Sequence, residues 1–325
     1  ITADLAAPRL RQFTMGDLIE LEPQDYAASG PGPLWILRNE KDESLGFAVI
    51  EAPIVHESEL AVLASLQKQY RFIGFTHFRT FPGSEDRVGS ADYLSLCDGW
   101  CHCFQNPDDY IHAPVPKLLL SGSDFTDPDT ISAASLELDP LGAKEYDFIY
   151  VCTPGAWAEQ NKNWSLAKRC IPILCEQLGL RGLLVGRKEI PDLPPCKGLS
   201  VIGWVPWPII LLLLHRSRFL FVPNVLDASP RIITQALCIN LPILVNRQIL
   251  GGWKYTNSQT GAFFDGEEDV AAGAAQCLAA GPQPRKWYAQ NHGPYRSSQR
   301  LHAFLRSLEP QLPEAKLIRF VSPTG

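Results

Sequence analysis

Residues 221–246, FVPNVLDASPRIITQALCINLPILVN, carry the reading of the fold. An apolar run ends at Val222. A loop follows with Asp227, then Ser229 as a helix N-cap and Pro230 at the first helical position. Apolar residues at helical spacing lead to Cys238, and a second strand spans 242–246. A helix that opens just beyond a strand's carboxyl end is where α/β sheets bind ligands. Its unpaired N–H groups, with Arg231 beside them, suit a diphosphate. An ordinary capped helix explains the same residues equally well.

The pattern extends in both directions. Upstream, 148–152, 182–186, 199–203 and 218–223 read as short buried strands, with helices at 164–178 and 207–215 between them. Strands without alternation, separated by helices, mean a parallel sheet covered on both faces. Downstream, Gly251 and Gly252 follow the strand at 242–246, where a glycine pair lets backbone approach a ligand closely.

The first half is less regular. Strands are expected at 34–37, 47–50, 71–77 and 117–120, with a helix over 57–70. The polar stretch 127–145 reads as a domain boundary. The expected organisation is an irregular extension (1–33), an N-terminal lobe (34–145), a C-terminal ligand-binding lobe (146–305) and a tail (306–325). The irregular ends offer surfaces for protein partners.

Composition narrows the function classes. The chain has 325 residues, 46% of them hydrophobic, which supports two cored domains rather than disorder. Its 29 basic and 35 acidic residues give a net charge of -6, which argues against a general nucleic-acid binder. No apolar run reaches the roughly 20 residues of a membrane span. Nine cysteines, mostly inside apolar runs, read as buried thiols of a reducing intracellular compartment, the cytoplasm or an organelle such as a plastid. The group Cys97, Cys101, His102, Cys103 lacks the paired spacing of a structural zinc site, so packing is the expected role and no metal is expected. The chain starts at Ile1 and holds its single methionine at Met15, which fits removal of a targeting peptide or trimming of the chain.

Over about 146–270 the chain resembles the C-terminal half of nucleotide-sugar glycosyltransferases of the GT-B fold, closest in style to the retaining family 4 group (glycosyl transferases group 1). That group carries Glu, seven residues, Glu, then Ala in a loop–helix element. Asp227, Gln235 and Ala236 stand at those positions. The strand at 242–246, Gly251-Gly252, the turn Thr260-Gly261 and the upstream Gly203 and Pro223-Asn224 follow in family order. Lys162 falls where the family places a phosphate-binding lysine.

The resemblance implies an α/β protein of two Rossmann-like lobes, the N-terminal one small or reduced. It implies sugar transfer from a nucleoside diphosphate sugar to a carbohydrate or glycoconjugate acceptor, with retention and without a metal or other cofactor. Asp227 would hold donor-sugar hydroxyls, Gln235 the ribose, and Lys162 the diphosphate. Three departures stand out. Gln235 replaces a carboxylate and has one acceptor oxygen. No arginine pairs obviously with Lys162; Arg187 is either its substitute or a surface charge. The N-terminal half is short and has no Gly-rich loop after its first strand.

His77, at a strand end, is either an acceptor-side catalytic contact or a capping histidine. Asp124 either faces a cleft or closes an Asx-type turn. Trp204, Trp207 and Trp253 either stack on a base or sugar or belong to the core. Two other readings use the same residues. One is a non-catalytic relative serving as a structural subunit of a larger complex. The other is an epimerase of the same fold, for which no acid–base carboxylate pair is evident.

Overall fold

The computed structural model describes residues 33–54, 56–76, 81–82, 93–139, 143–279 and 281–323. They form two compact units. Among the described residues, one runs over Asp127–Gln290; the other combines those from 33 to Thr126 with those from Asn291 onward.

The N-terminal unit opens with the antiparallel pair β1 (Leu34–Arg38) and β2 (Ser44–Ile50). The buried Asn39 builds their turn, its side-chain oxygen accepting from the Lys41 and Glu43 amides. Helix α1 (Glu57–Leu66) begins with the His56 amide donating to Glu59 and stops short of the expected residue 70. β3 (Arg71–Phe75), β4 (Cys97–His102) and β5 (Lys117–Leu119) then pair in parallel with β2 and with one another. Gly74 is required on β3, because a Cβ there would strike the buried Trp100 ring. Cys97, Cys101 and Cys103 are all buried. Asp124 is buried too, one carboxylate oxygen accepting from the Ser121 amide at 2.6 Å and the Ser121 hydroxyl at 3.1 Å.

The C-terminal unit starts earlier than expected. Helix α2 (Pro128–Leu138) occupies the polar stretch 127–145 expected to be a domain boundary. Asp127 caps it, accepting from the Asp129 amide at 3.0 Å, and Ile131 enters the core. The Asp-Pro pair that looks like a chain breaker is thus a helix start. The series continues with β6 (Tyr146–Val151), α3 (Ala156–Lys162), α4 (Trp164–Pro172), β7 (Gly182–Val185), β8 (Leu199–Ile202), α5 (Trp207–His215), β9 (Ser217–Val222), α6 (Arg231–Cys238), β10 (Ile243–Asn246), β11 (Gly261–Phe264), α7 (Val270–Leu278) and α8 (Pro284–Asn291). The helix expected over 164–178 turns into a π-helical stretch at Ile173–Gln177, next to Pro172, which has no N–H to donate.

All strands of this unit are parallel, in the order β11-β10-β9-β6-β7-β8. Successive residues face opposite cores. Ile149, Leu220 and Val222 belong to one, and Phe148, Tyr150, Phe219 and Phe221 to the other. This two-sided burial is why the strands read as unbroken apolar runs.

The chain then returns to the N-terminal unit. Helix α9 (Pro294–Leu308) buries Leu301 and Leu305 against Trp35, Phe47 and Ile73, and β12 (Arg319–Val321) pairs antiparallel with β1. That sheet runs β12-β1-β2-β3-β4-β5. The units therefore divide at residues 126/127 and 290/291, not at 146 and 305. Among the described residues no helix is long and apolar enough to cross a membrane.

Candidate functional site: a cleft at the strand switch point

The parallel sheet has one topological switch. From β6 the chain moves outward through β7 and β8, then returns to the other side of β6 as β9 and continues to β10 and β11. The loops leaving β6 and β9 part there and open a crevice at the strands' carboxyl ends, the general ligand position in such sheets. A cleft of about 250 Å³ lies there, with Lys162, Asn224, Asp227, Ser229, Arg231 and Ile232 in its lining.

Two of these residues, 65 positions apart in sequence, meet in it. Lys162 Nζ lies 2.5 Å from Asp227 Oδ2. The same oxygen accepts from Asn224 Nδ2 at 2.9 Å. Asp227 is 10% exposed through its side chain and Lys162 27%, so the pair is shielded but reachable from the cleft.

Local structure explains why Lys162 points there. It ends α3, and Asn163 breaks the chain into the left-handed region at φ 52°. Asn tolerates that conformation better than most residues. The Asn163 side-chain Nδ2 donates to the Pro223 carbonyl at 3.0 Å, tying the junction to the end of β9. Its side-chain oxygen accepts from the Leu166 amide at 3.3 Å and caps α4. Tyr150 Oη donates to the Lys162 carbonyl at 2.9 Å, and burial keeps that hydroxyl protonated by pushing its pKa well above the ordinary value.

The opposite wall is the start of α6. Ser229 is not the N-cap: Pro230 holds that position and the helix begins at Arg231, one residue later than the sequence suggests. The Ile233 amide donates back to the Pro230 carbonyl at 3.0 Å, and the Arg231 and Ile232 amides before it are the ones that a helix start leaves without an intrahelical partner. Ser229, Pro230, Arg231 and Ile232 all line the cleft. Arg231 is exposed, without an ion pair among the described residues.

Gly251 and Gly252 serve this wall from behind. The Gly251 amide donates to the Asp227 carbonyl at 3.0 Å, and the Leu250 amide to the Val225 carbonyl at 2.7 Å. A Cβ on Gly251 would collide with the Ala228 carbonyl. Gly252 has φ +89°, and a Cβ there would lie 2.7 Å from Pro230 Cγ. The pair lets one loop press against the loop that carries Asp227.

Other sequence candidates lie elsewhere. Gln235 is half-buried, one turn beyond Arg231, and outside the lining. Arg187 is 6% exposed and pairs with Glu159 at 2.7 Å. Burial works against its charge, but the hydrogen bonds to Glu159 and Cys152 outweigh it and hold its pKa above the ordinary value. Trp204, Trp207 and Trp253 do not line the cleft. His77 lies outside the described residues. Among the described residues no three His, Cys, Asp or Glu side chains gather as a metal-ligand set. Asn224 and Tyr150 were missed. An amide three residues before the acidic position at a strand end was the available signal for Asn224.

No protein-family model and no curated protein matches this chain. Solved structures do. The lipopolysaccharide outer core galactosyltransferase WaaB superposes with a TM-score of 0.56 at 11% identity, over 80% of this chain and 75% of that one. The sucrose-phosphate synthase of Thermosynechococcus elongatus gives 0.52 at 10% identity, over 80% and 73%. Anabaena HepE, in complex with UDP-glucose, gives 0.51 at 11% identity, over 81% and 78%. At such identities the likeness concerns architecture: this chain has the two-lobed α/β fold of the GT-B glycosyltransferases.

Proposed function

We propose that the cleft binds a nucleoside diphosphate sugar and that the protein transfers the sugar to a carbohydrate or glycoconjugate acceptor. The observation that carries this reading is the meeting of Lys162 and Asp227 at the switch point, facing the open N-terminus of α6. Each group suits one part of such a donor. Lys162, Arg231 and the first amides of α6 are cationic or hydrogen-bond donors convergent on an anion. Asp227, oriented by Asn224, is an acceptor fit for sugar hydroxyls. When a diphosphate draws Lys162 to itself, the Asp227 oxygen that Lys162 now occupies is released for the sugar.

The chemistry follows from the same groups. Breaking the anomeric carbon–oxygen bond leaves its electron pair on the diphosphate. Preorganised positive charge there stabilises that departing charge without a proton transfer. Transfer with retention, without a metal or further cofactor, and membership of family 4 belong to the same proposal, supported by the order of Asp227, Gln235 and the glycine pair. The N-terminal unit is the proposed acceptor side.

Gln235 favours a second reading, a non-catalytic relative that acts as a subunit of a larger complex, because it stands outside the lining and lacks a carboxylate. A thermal-shift screen of UDP, GDP, ADP and their sugar conjugates separates the two. The donor reading expects one nucleotide to raise the unfolding midpoint by mass action, with slow release of free sugar from its conjugate. The subunit reading expects neither.

A further inference from the structure

Building on the donor reading of the cleft, we propose that Arg187 is a positioning residue that presents Lys162 to the diphosphate, rather than a phosphate ligand itself.

The reason lies in helix α3. None of its residues is buried, so apolar packing does little to hold it. Yet it carries Lys162. Arg187 supplies the missing restraint. The chain leaves β7 through Gly186 at φ +107°, so close to β6 that a Cβ there would lie 3.0 Å from the Cys152 carbonyl. That turn sends the Arg187 side chain back over the end of β6. Its Nε donates to the Cys152 carbonyl at 3.2 Å, and Nη2 donates to the Thr153 carbonyl at 3.3 Å and to Glu159 Oε1 at 2.7 Å. The guanidinium carbon stands 4.2 Å from the centre of the buried Trp164 ring. One side chain thus grips the loop before α3, the middle of α3 and the first residue of α4. These points bracket Lys162. Tyr150 and Asn163 fasten the far end.

The same contacts argue against a direct phosphate role. To reach an anion, the 6%-exposed guanidinium would have to leave Glu159, two carbonyls and an aromatic face. A planar fork with delocalised charge makes all these contacts at once, whereas a lysine ammonium does not.

The test is a double-mutant cycle read by titration with whichever of UDP, GDP or ADP binds the wild-type protein, joined to amide exchange without nucleotide. Arg187→Met should weaken binding about tenfold when Lys162 is present, a change of about 1.4 kcal/mol. It should add nothing in a Lys162→Met background. Glu159→Ala, which alters a more exposed partner and guards against misfolding, should weaken binding in the same direction, and Arg187→Lys should not rescue. Amides of 156–163 should exchange faster in both Arg187→Met and Glu159→Ala. Equal losses in both Lys162 backgrounds, or tighter binding in Glu159→Ala, would make Arg187 a phosphate ligand and overturn the proposal. If the wild type binds no nucleotide, the donor reading fails on its own. The clamp is then judged by exchange, where unchanged protection of 156–163 in both variants overturns it.

Discussion

Replacing Lys162 with methionine keeps most of the side chain's bulk and removes its charge. Asp227, 10% exposed, would then hold its carboxylate against the Asn224 amide alone. Stranding one member of a fully buried ion pair costs about 3–5 kcal/mol, whereas an exposed pair is worth about 0–1 kcal/mol. Lys162 is 27% exposed, so this pair lies between those limits, and Lys162→Met should lose about 2 kcal/mol. In a unit of this size that lowers the melting midpoint by about 4–8 °C. Adding Asp227→Asn removes the stranded charge, so the double variant should regain a large part of the loss. Urea unfolding of the four proteins, with slopes compared to confirm two-state behaviour, reads the coupling directly. A double variant no more stable than Lys162→Met, or two single losses that simply add, would refute the pair as an energetic unit.

Three further outcomes follow from the same structure. Gly251→Ala should lower stability by at least about 2 kcal/mol, through collision with the Ala228 carbonyl, and should weaken nucleotide binding by shifting the Asp227 loop; a melting curve like wild type's contradicts the close approach. Burial, with Lys144 nearby, pushes the His215 pKa below its ordinary 6.5, and its Nδ1 has no hydrogen-bond partner among the described residues. The unfolded chain therefore takes up that proton first, so the His215 contribution is intact above about pH 6.5 and is lost as pH falls through the lower folded value; His215→Gln should flatten the acid limb of a stability–pH curve. Burial pushes Cys170, Cys175 and Cys277 up to about 12, so a thiol reagent at pH 8 should leave them unlabelled in native protein and label them in urea.

The C-terminal sheet was legible because its strands are buried on both faces. Leu220 and Phe221 serve opposite cores, so the sequence shows an apolar run that only a covered parallel strand requires. Lys162 and Asp227 were legible as candidates, but their contact was not, since it depends on β6 and β9 being neighbours across the switch. The first unit boundary was hidden because Asp127-Pro128 signals a helix start as well as a break. The crossing of the last helix back to the N-terminal unit is what the resemblance to GT-B enzymes implies, while the leucines of α9 alone do not say which core they enter. The glycine pair was read as a ligand approach, yet the Cβ contacts show a backbone approach that the ligand-side loop needs. Arg187 read as either a phosphate-binding substitute or a surface charge, because nothing in a linear chain shows that Glu159 and Trp164 converge on it.

In the proposed reading, Lys162 takes the diphosphate of a nucleoside diphosphate sugar and Asp227 takes the sugar. Calorimetric titration of free nucleotide and its sugar conjugate into wild type, Lys162→Met and Asp227→Asn tests it most directly. Lys162→Met should weaken both ligands. Asp227→Asn should weaken only the conjugate and leave free nucleotide unchanged or tighter, because Lys162 no longer has a carboxylate to leave. Folded wild-type protein that binds neither ligand at millimolar concentration, or variants that lose both ligands equally, would contradict it.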